Sequence, residues 1–141
     1  MTSSSEPYRG ALPRPTPETQ PFWDGTRARR LMLPWCRACG EPHFYPRSIC
    51  PHCLSADIEW RQASGRGKLH TYVINHRPAK GFEAPYVIAV VELDEGPRML
   101  TNVVTEEEPT PEALRIDMDL EVIFDDVTED VTFARFRPVS R

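Results

Sequence analysis

The rhythm of polar and apolar positions divides the chain into unlike parts. From Ser64 onward apolar residues follow the two-residue period of strands, in GKLHTYVINH (67–76), YVIAVVEL (86–93), RMLTNVV (98–104) and VTFARFR (131–137). Between the last two runs Leu120, Val122 and Phe124 alternate with Glu121, Ile123 and Asp125, which suits a half-buried strand. DEGP at 94–97 carries the Gly and Pro of a tight connection, so the second and third runs predict an antiparallel hairpin. A longer break, TEEEPTPEALRID (105–117), follows the third run and has room for a short helix near Pro111–Arg115. Five short strands interrupted after the third predict a Greek-key OB barrel; a small β-sandwich is the alternative that the same pattern allows.

Upstream the period is lost. In PFWDGTRARRLMLPW (21–35) large apolar residues interleave with arginines and run into Pro34, which has no backbone donor and pushes its predecessor out of the helical region. This predicts a helical arm over 21–35 with one or two turns around 24–32. Ile58–Trp60 predicts a short strand. Residues 1–20 carry Pro7, Pro13, Pro15 and Pro17 and few large apolar groups, so they predict a tail that is disordered or ordered by a partner.

With 141 residues, 40% hydrophobic and 27% charged, the chain suits one domain or a small core with an appended module. Its longest apolar run, YVIAVV (86–91), is far short of the roughly 18 residues of a spanning helix. No apolar stretch follows the first Met, so a cytosolic protein without a membrane partner is expected. Charge is uneven: of the net −4, residues 1–62 hold 8 Lys/Arg against 6 Asp/Glu and residues 63–141 hold 9 against 15.

All four cysteines lie in WCRACGEPHFYPRSICPHC (35–53), as Cys36-x-x-Cys39 and Cys50-x-x-Cys53. Two residues between thiolates let amide N–H groups face sulfur while both sulfurs reach one ion, and two such knuckles complete a closed tetrahedral zinc site. A reducing compartment disfavours disulfides, and a redox reading of either pair leaves the other unexplained. Iron in a rubredoxin-like S4 site is the alternative metal. His43 and His52 are not needed as ligands, because four cysteines saturate the ion, and both are expected on the knuckle surface. A saturated ion offers no position to water or substrate, so the cluster is read as a structural staple.

Elsewhere no G-x-S-x-G, P-loop, H-E-x-x-H or G-x-G-x-x-G pattern occurs. SGRGK (64–68) lacks phosphate-loop spacing and reads as the entry to the first barrel strand. His70 and His76, six positions apart, are expected on one strand face. More informative is HRPAKGFEAPY (76–86), where Arg77, Lys80, Gly81, Phe82 and Tyr86 combine two cations, a flexible glycine and aromatic surface. Such a loop suits a phosphate-bearing cofactor, and equally an ordinary solvated connection. OB barrels often bind single-stranded nucleic acid, but that needs a basic groove, and Glu106–Glu108, Asp125, Asp126, Glu129 and Asp130 make this half acidic.

The order PFWDGTRARRL, CRACG with CPHC, GRGKLHTYVINHRPAKGF, APYVIAVVELDEGPRMLTNVV and VIFDDVTEDVTFARFRP resembles the zinc-ribbon/OB-fold accessory proteins associated with acyl-CoA enzymes. The resemblance is collinear over about residues 21–138. It implies a mainly β protein: a rubredoxin-like zinc ribbon (36–62) with an amino-terminal helical arm, then a five-stranded OB-fold barrel (63–141). It implies partnership with a thiolase-like enzyme, an aldolase of that fold or a hydratase, in steroid side-chain or lipid degradation or acyl-CoA synthesis. Family members are thought to bind or bridge CoA beside the partner's active site. Leu54, and Asp117 in R-I-D-M, stand where the family pattern favours glycine.

The expectation is a non-catalytic accessory subunit that docks on a thiolase-fold acyl-CoA enzyme. Cys36, Cys39, Cys50 and Cys53 would hold structural zinc; Arg77, Lys80, Gly81, Phe82 and Tyr86 would meet the CoA thioester jointly with the partner. Phe22, Trp23 and Arg30 are candidate interface anchors, or serve instead to cap one end of the barrel. The alternatives are a single-stranded nucleic-acid-binding module and, third, an independent enzyme using His76 or Asp125.

Overall fold

The computed structural model describes residues 8–139. Its first regular element is α1 (Gln20–Arg27), with Pro21 in the first turn, where a missing donor costs nothing. The helix lies earlier than 24–32 because its stop signal is local. Arg29 adopts φ 63°, its amide bonds Thr26 O at 3.0 Å, and the Arg30 amide reaches back to Gly25 O at 2.8 Å. That is a Schellman turn with arginine in the left-handed position. Gly25 is required there, since a Cβ would meet Met32 Cγ at 2.5 Å. The second half of the expected arm is therefore not helical: it is β1 (Met32–Cys36), paired antiparallel with β2 (Ile58–Gln62) from Met32↔Gln62 to Cys36↔Ile58.

The remaining strands are β3 (Arg66–Asn75), β4 (Tyr86–Leu93), β5 (Arg98–Val103), β6 (Asp119–Asp126) and β7 (Thr132–Pro138). They close into a barrel in the order β3-β4-β5-β7-β6. The β4–β5 hairpin forms as its turn residues predict. Closure comes from antiparallel β3–β6 pairs and a parallel bridge, Val103↔Phe136, between β5 and β7. This is the Greek-key OB arrangement, which settles the choice against a sandwich. Strand β4 buries every second residue, and Leu69, Val91, Leu120 and Phe136 are fully enclosed. Gly67 is needed where β3 crosses β4, because a Cβ would lie 2.7 Å from Glu92 O.

Three expectations change. Residues 111–113 form a turn, with Ala113 N on Thr110 O at 3.0 Å, rather than a helix; Leu114 still seals the barrel at 3% exposure. A bulge between Leu69 and Thr71 breaks the pleat at His70, so His70 and His76 do not share a face, and His76 lies beyond the strand. Of the expected disordered tail, residues 1–7 lie outside the described residues, whereas 8–19 follow a defined path back over the barrel. Tyr8 packs edge-on against Phe133 at 5.8 Å, and Gly10 crosses Gly81 so closely that a Cβ on Gly81 would lie 2.8 Å from Gly10 Cα. Among the described residues no helix is long and apolar enough to cross a membrane.

Arm and barrel are clamped by a bidentate pair, Arg29 Nη1 and Nη2 to Asp126 Oδ1 and Oδ2 at 2.7 and 2.5 Å. The Arg29 guanidinium, and then the Thr132 hydroxyl, hold the Asp126 carboxyl well below the usual carboxylate range. A depressed carboxyl stabilises the fold fully above about pH 4, the unfolded value, and loses that effect as pH falls through the lower folded value. Asp126→Asn should lower the urea midpoint at pH 7, and the gap from the native protein should narrow between about pH 5 and pH 2. A gap that stays constant across that range would contradict the clamp.

Candidate metal centre and ligand cleft

Cys36 ends β1, and the chain returns to β2 only at Ile58, so the intervening segment must be organised by something other than a sheet. The four Sγ atoms lie within 4.8 Å of one another, with Cys36–Cys53 at 3.6 Å and Cys39–Cys50 at 3.7 Å. A tetrahedral zinc with bonds of ~2.3 Å needs sulfur–sulfur edges of ~3.8 Å, so the four residues fit the ion. The same spacing is far beyond the ~2.05 Å of bonded sulfurs, and all four cysteines are free. Amides face sulfur as the knuckle requires: Cys39 N to Cys36 Sγ at 3.5 Å and His52 N to Cys50 Sγ at 3.3 Å.

Without an ion the crowded thiols share protons unequally. The Cys39 amide, with further help from the Cys53 thiol, holds Cys36 down to about 7 against the effect of burial. For Cys39 the Glu41 amide pulls downward, but burial and the neighbouring thiols outweigh it and push the group up to about 12. A divalent cation must displace those protons, so metal affinity falls on acidification. His43 and His52 stay outside the sulfur cluster. His43 is not on the surface as expected: it is buried at 4% exposure, and burial pushes its pKa down.

Each knuckle closes on a residue in the left-handed region, Gly40 at φ 79° and Leu54 at φ 67°. Leu54 thus adopts the conformation for which glycine is favoured, at a cost of about 1–2 kcal/mol. Its side chain is 77% exposed, so burial does not offset that cost. Asp117, the second departure, likewise sits at φ 66°.

The 76–86 loop is a tight turn on the barrel rim. Phe82 N donates to Ala79 O at 2.9 Å and Gly81 takes φ 86°. Phe82 stacks on Tyr86 with centroids 4.7 Å apart and planes at 17°, and the Tyr86 hydroxyl accepts from Asn75 Nδ2 at 2.8 Å. This loop walls an open cleft of about 1150 Å³. Lys80, Gly81, Phe82 and Tyr86 line it, and Arg77 is not among its lining residues. Glu107 and Glu108 also line it, as do the amino-terminal Tyr8 and Arg9.

Of the cleft's floor, Asn102, Asp125 and Arg135, the sequence singled out Asp125 alone, as the candidate of the least favoured reading, and it missed Asn102 and Arg135. Arg135 Nε lies 3.0 Å from Asp125 Oδ2, close but misaligned for a hydrogen bond, and Arg135 Nη1 donates to Asn102 Oδ1 at 2.9 Å. Both charged residues are 8% exposed. Alternation with Phe124 and Phe136 places them on the barrel's outer face, where sequence periodicity reads solvent; Phe82 of the rim loop and Phe133 cover the arginine.

The three expected interface residues separate. Phe22 is not a surface anchor: at 7% exposure it packs against Trp23 at 5.0 Å and Phe44 at 5.5 Å, joining arm and ribbon to the core. Trp23 is half-buried against Phe133. Arg30 is exposed.

Residues 23–59 match the family described as "ChsH2, rubredoxin-like zinc ribbon domain" and residues 60–125 that described as "ChsH2, C-terminal OB-fold domain". A probable enoyl-CoA hydratase alpha subunit of Thermomonospora curvata is 36% identical over 83% of this chain, but the match spans only 36% of that subunit. A DUF35 domain-containing scaffold protein of Methanocaldococcus jannaschii is 38% identical over 74% of this chain and 78% of its own. Among solved structures, one titled "Ltp2-ChsH2(DUF35) aldolase" superposes with a TM-score of 0.80 at 33% identity, covering 90% of this chain and 98% of the other.

Removing the metal with a chelator should unfold residues 36–60, read as loss of dispersed amide signals from the ribbon. An unchanged spectrum of the stripped protein would contradict a structural ion. Leu54→Gly should raise stability by about 1 kcal/mol, measured as a higher urea midpoint, because it removes left-handed strain without removing packing.

Proposed function

Because the chain belongs to the DUF35 family of zinc-ribbon and OB-fold scaffold proteins, we propose that it is a non-catalytic accessory subunit of a thiolase- or aldolase-type acyl-CoA enzyme. In this reading it docks on that enzyme and contributes one wall of the acyl-CoA site, in breakdown of steroid side chains or other lipids. The observation that carries it is the coexistence of a coordinatively closed sulfur cluster with an open, aromatic-walled cleft on the same small chain. Four thiolates leave an ion no position for substrate, so the metal's role is to hold shape. The cleft, by contrast, offers Lys80 as a point charge for phosphate and the Phe82–Tyr86 pair as an apolar wall. Its openness suits a site completed by another protein. Trp23 and Arg30 are the anchors proposed for that contact, and Arg77, outside the cleft, is available to the partner rather than to the cofactor.

Nucleic acid is disfavoured by charge. A phosphate backbone passing Lys80 would also pass Glu107 and Glu108, whereas a compact cofactor need not.

Affinity capture of the tagged protein from its host should recover a thiolase- or aldolase-type enzyme, and Lys80→Glu should weaken CoA binding to the complex about tenfold. Recovery of this chain alone at natural abundance, or low-salt binding of single-stranded DNA tighter than CoA, would overturn the reading.

A further inference from the structure

The floor of the cleft contains a feature that neither the ribbon nor the barrel needs. Arg135 lies between two rings, its guanidinium carbon 5.4 Å from the Phe82 centroid and 5.2 Å from that of Phe133. Phe133 in turn meets Trp23 at 6.1 Å and Tyr8 at 5.8 Å, while Phe82 stacks on Tyr86. A continuous file of side chains thus runs from the helical arm, through one arginine, to the rim loop. A planar guanidinium can stack between two rings while its edge is held by acceptors, which an ammonium cannot do. Here the acceptor is Asn102 Oδ1, with the Asp125 carboxylate as ion-pair partner at 3.0 Å, and Asn102 is itself fixed by donating to Val87 O at 2.8 Å.

The arrangement is costly. Asp125 Oδ1 is buried with no hydrogen-bond partner among the described residues, and the ion pair lies on a face where solvent would otherwise reach it. Replacing such a pair by apolar groups is often neutral or stabilising, so its retention calls for a reason other than stability. The loop supplies one. The turn itself is closed by the Ala79–Phe82 bridge, the Arg77 amide and the Tyr86 hydroxyl meet Asn75 at its ends, and from the middle of the loop Phe82 reaches back onto the barrel at Arg135.

We infer that Arg135 is the positioning residue of the cleft: held by Asp125 and Asn102, it fixes Phe82 and with it the 77–86 loop, presenting Lys80 and Gly81 where ligand binds. This rests on the proposed CoA reading for the ligand, but the anchoring of the loop is measurable without any ligand.

The test uses the full chain in its enzyme complex for CoA binding and alone for loop anchoring. Arg135→Met by itself would strand a buried carboxylate and risks misfolding, so the main variant is Asp125→Leu with Arg135→Met, joined by Arg135→Lys, Phe82→Leu and Phe82→Tyr. The double variant, Arg135→Lys and Phe82→Leu should each be cleaved by trypsin at Lys80 at least tenfold faster than native at matched urea midpoints. Each should lose about tenfold in CoA affinity, and Phe82→Leu should add nothing further to the double variant. Phe82→Tyr, which keeps the ring, should restore both readouts to near native. Native cleavage rates in the folded double variant would overturn the proposal, as would a loosened loop with unchanged CoA affinity. If the native complex binds no CoA, the CoA reading fails by itself, and the cleavage rates still decide whether Arg135 anchors the loop.

Discussion

The fold depends on four sulfur atoms being brought to one point. Between Arg37 and Asp57 only Pro42, His43 and Cys50 are buried, so this segment has almost no apolar core of its own. A tetrahedral zinc can supply on the order of 10–16 kcal/mol to a peptide of this kind, enough to replace the missing burial. The consequence reaches past the ribbon. Phe44 and Tyr45 sit between the two cysteine pairs, so the knuckles decide where these rings stand. Phe44 packs on Phe22, and the Tyr45 hydroxyl accepts from Leu100 N at 3.1 Å, capping an amide on the part of β5 that β7 leaves unpaired.

Arm and ribbon are therefore docked on the barrel through shared apolar contacts. Leu31 and Leu33 enter the core from the segment that links arm to ribbon, and Phe22 enters from the helix. Trp23 extends the same contact to Phe133 on the barrel's outer face. An apolar core continued by a layer of rings explains how a short helix survives: eight residues are too few for stability in isolation, and docking supplies what propensity does not.

How much of this the sequence disclosed follows from the kind of signal each feature leaves. The barrel strands were legible because a half-buried strand writes its burial into alternation, and the metal ligands because spacing alone lets two C-x-x-C pairs converge. The helix boundary is not legible because Pro34 is the conspicuous stop signal in the sequence, whereas the left-handed turn at Arg29 ends the helix five residues before that proline and frees 32–36 to pair with β2. Phe22 looked exposed because one amphipathic turn does not say which neighbour will cover it. Arg135, and the burial of Asp125 beside it, were hidden for the reverse reason: their parity points outward, and it takes Phe82 of the rim loop and Phe133 of the neighbouring strand position to cover the arginine.

Among the described residues, three that bear side chains take positive φ, Arg29, Leu54 and Asp117, and they mark where local preference gives way to other contacts. Arg29 is offset by its pair with Asp126, about a hundred residues away in the chain, and Asp117 by its amide bond to Leu69 O at 2.8 Å within the barrel. For Leu54 the compensating contact is weaker, its amide bonding Cys50 O at 2.9 Å within the knuckle itself, so the burden falls on the metal. Local strain is thus smallest in consequence where the barrel carries it and largest where only the ion does. The ribbon is then the part whose stability follows metal supply, while the barrel that carries the cleft rests on its own closed sheet.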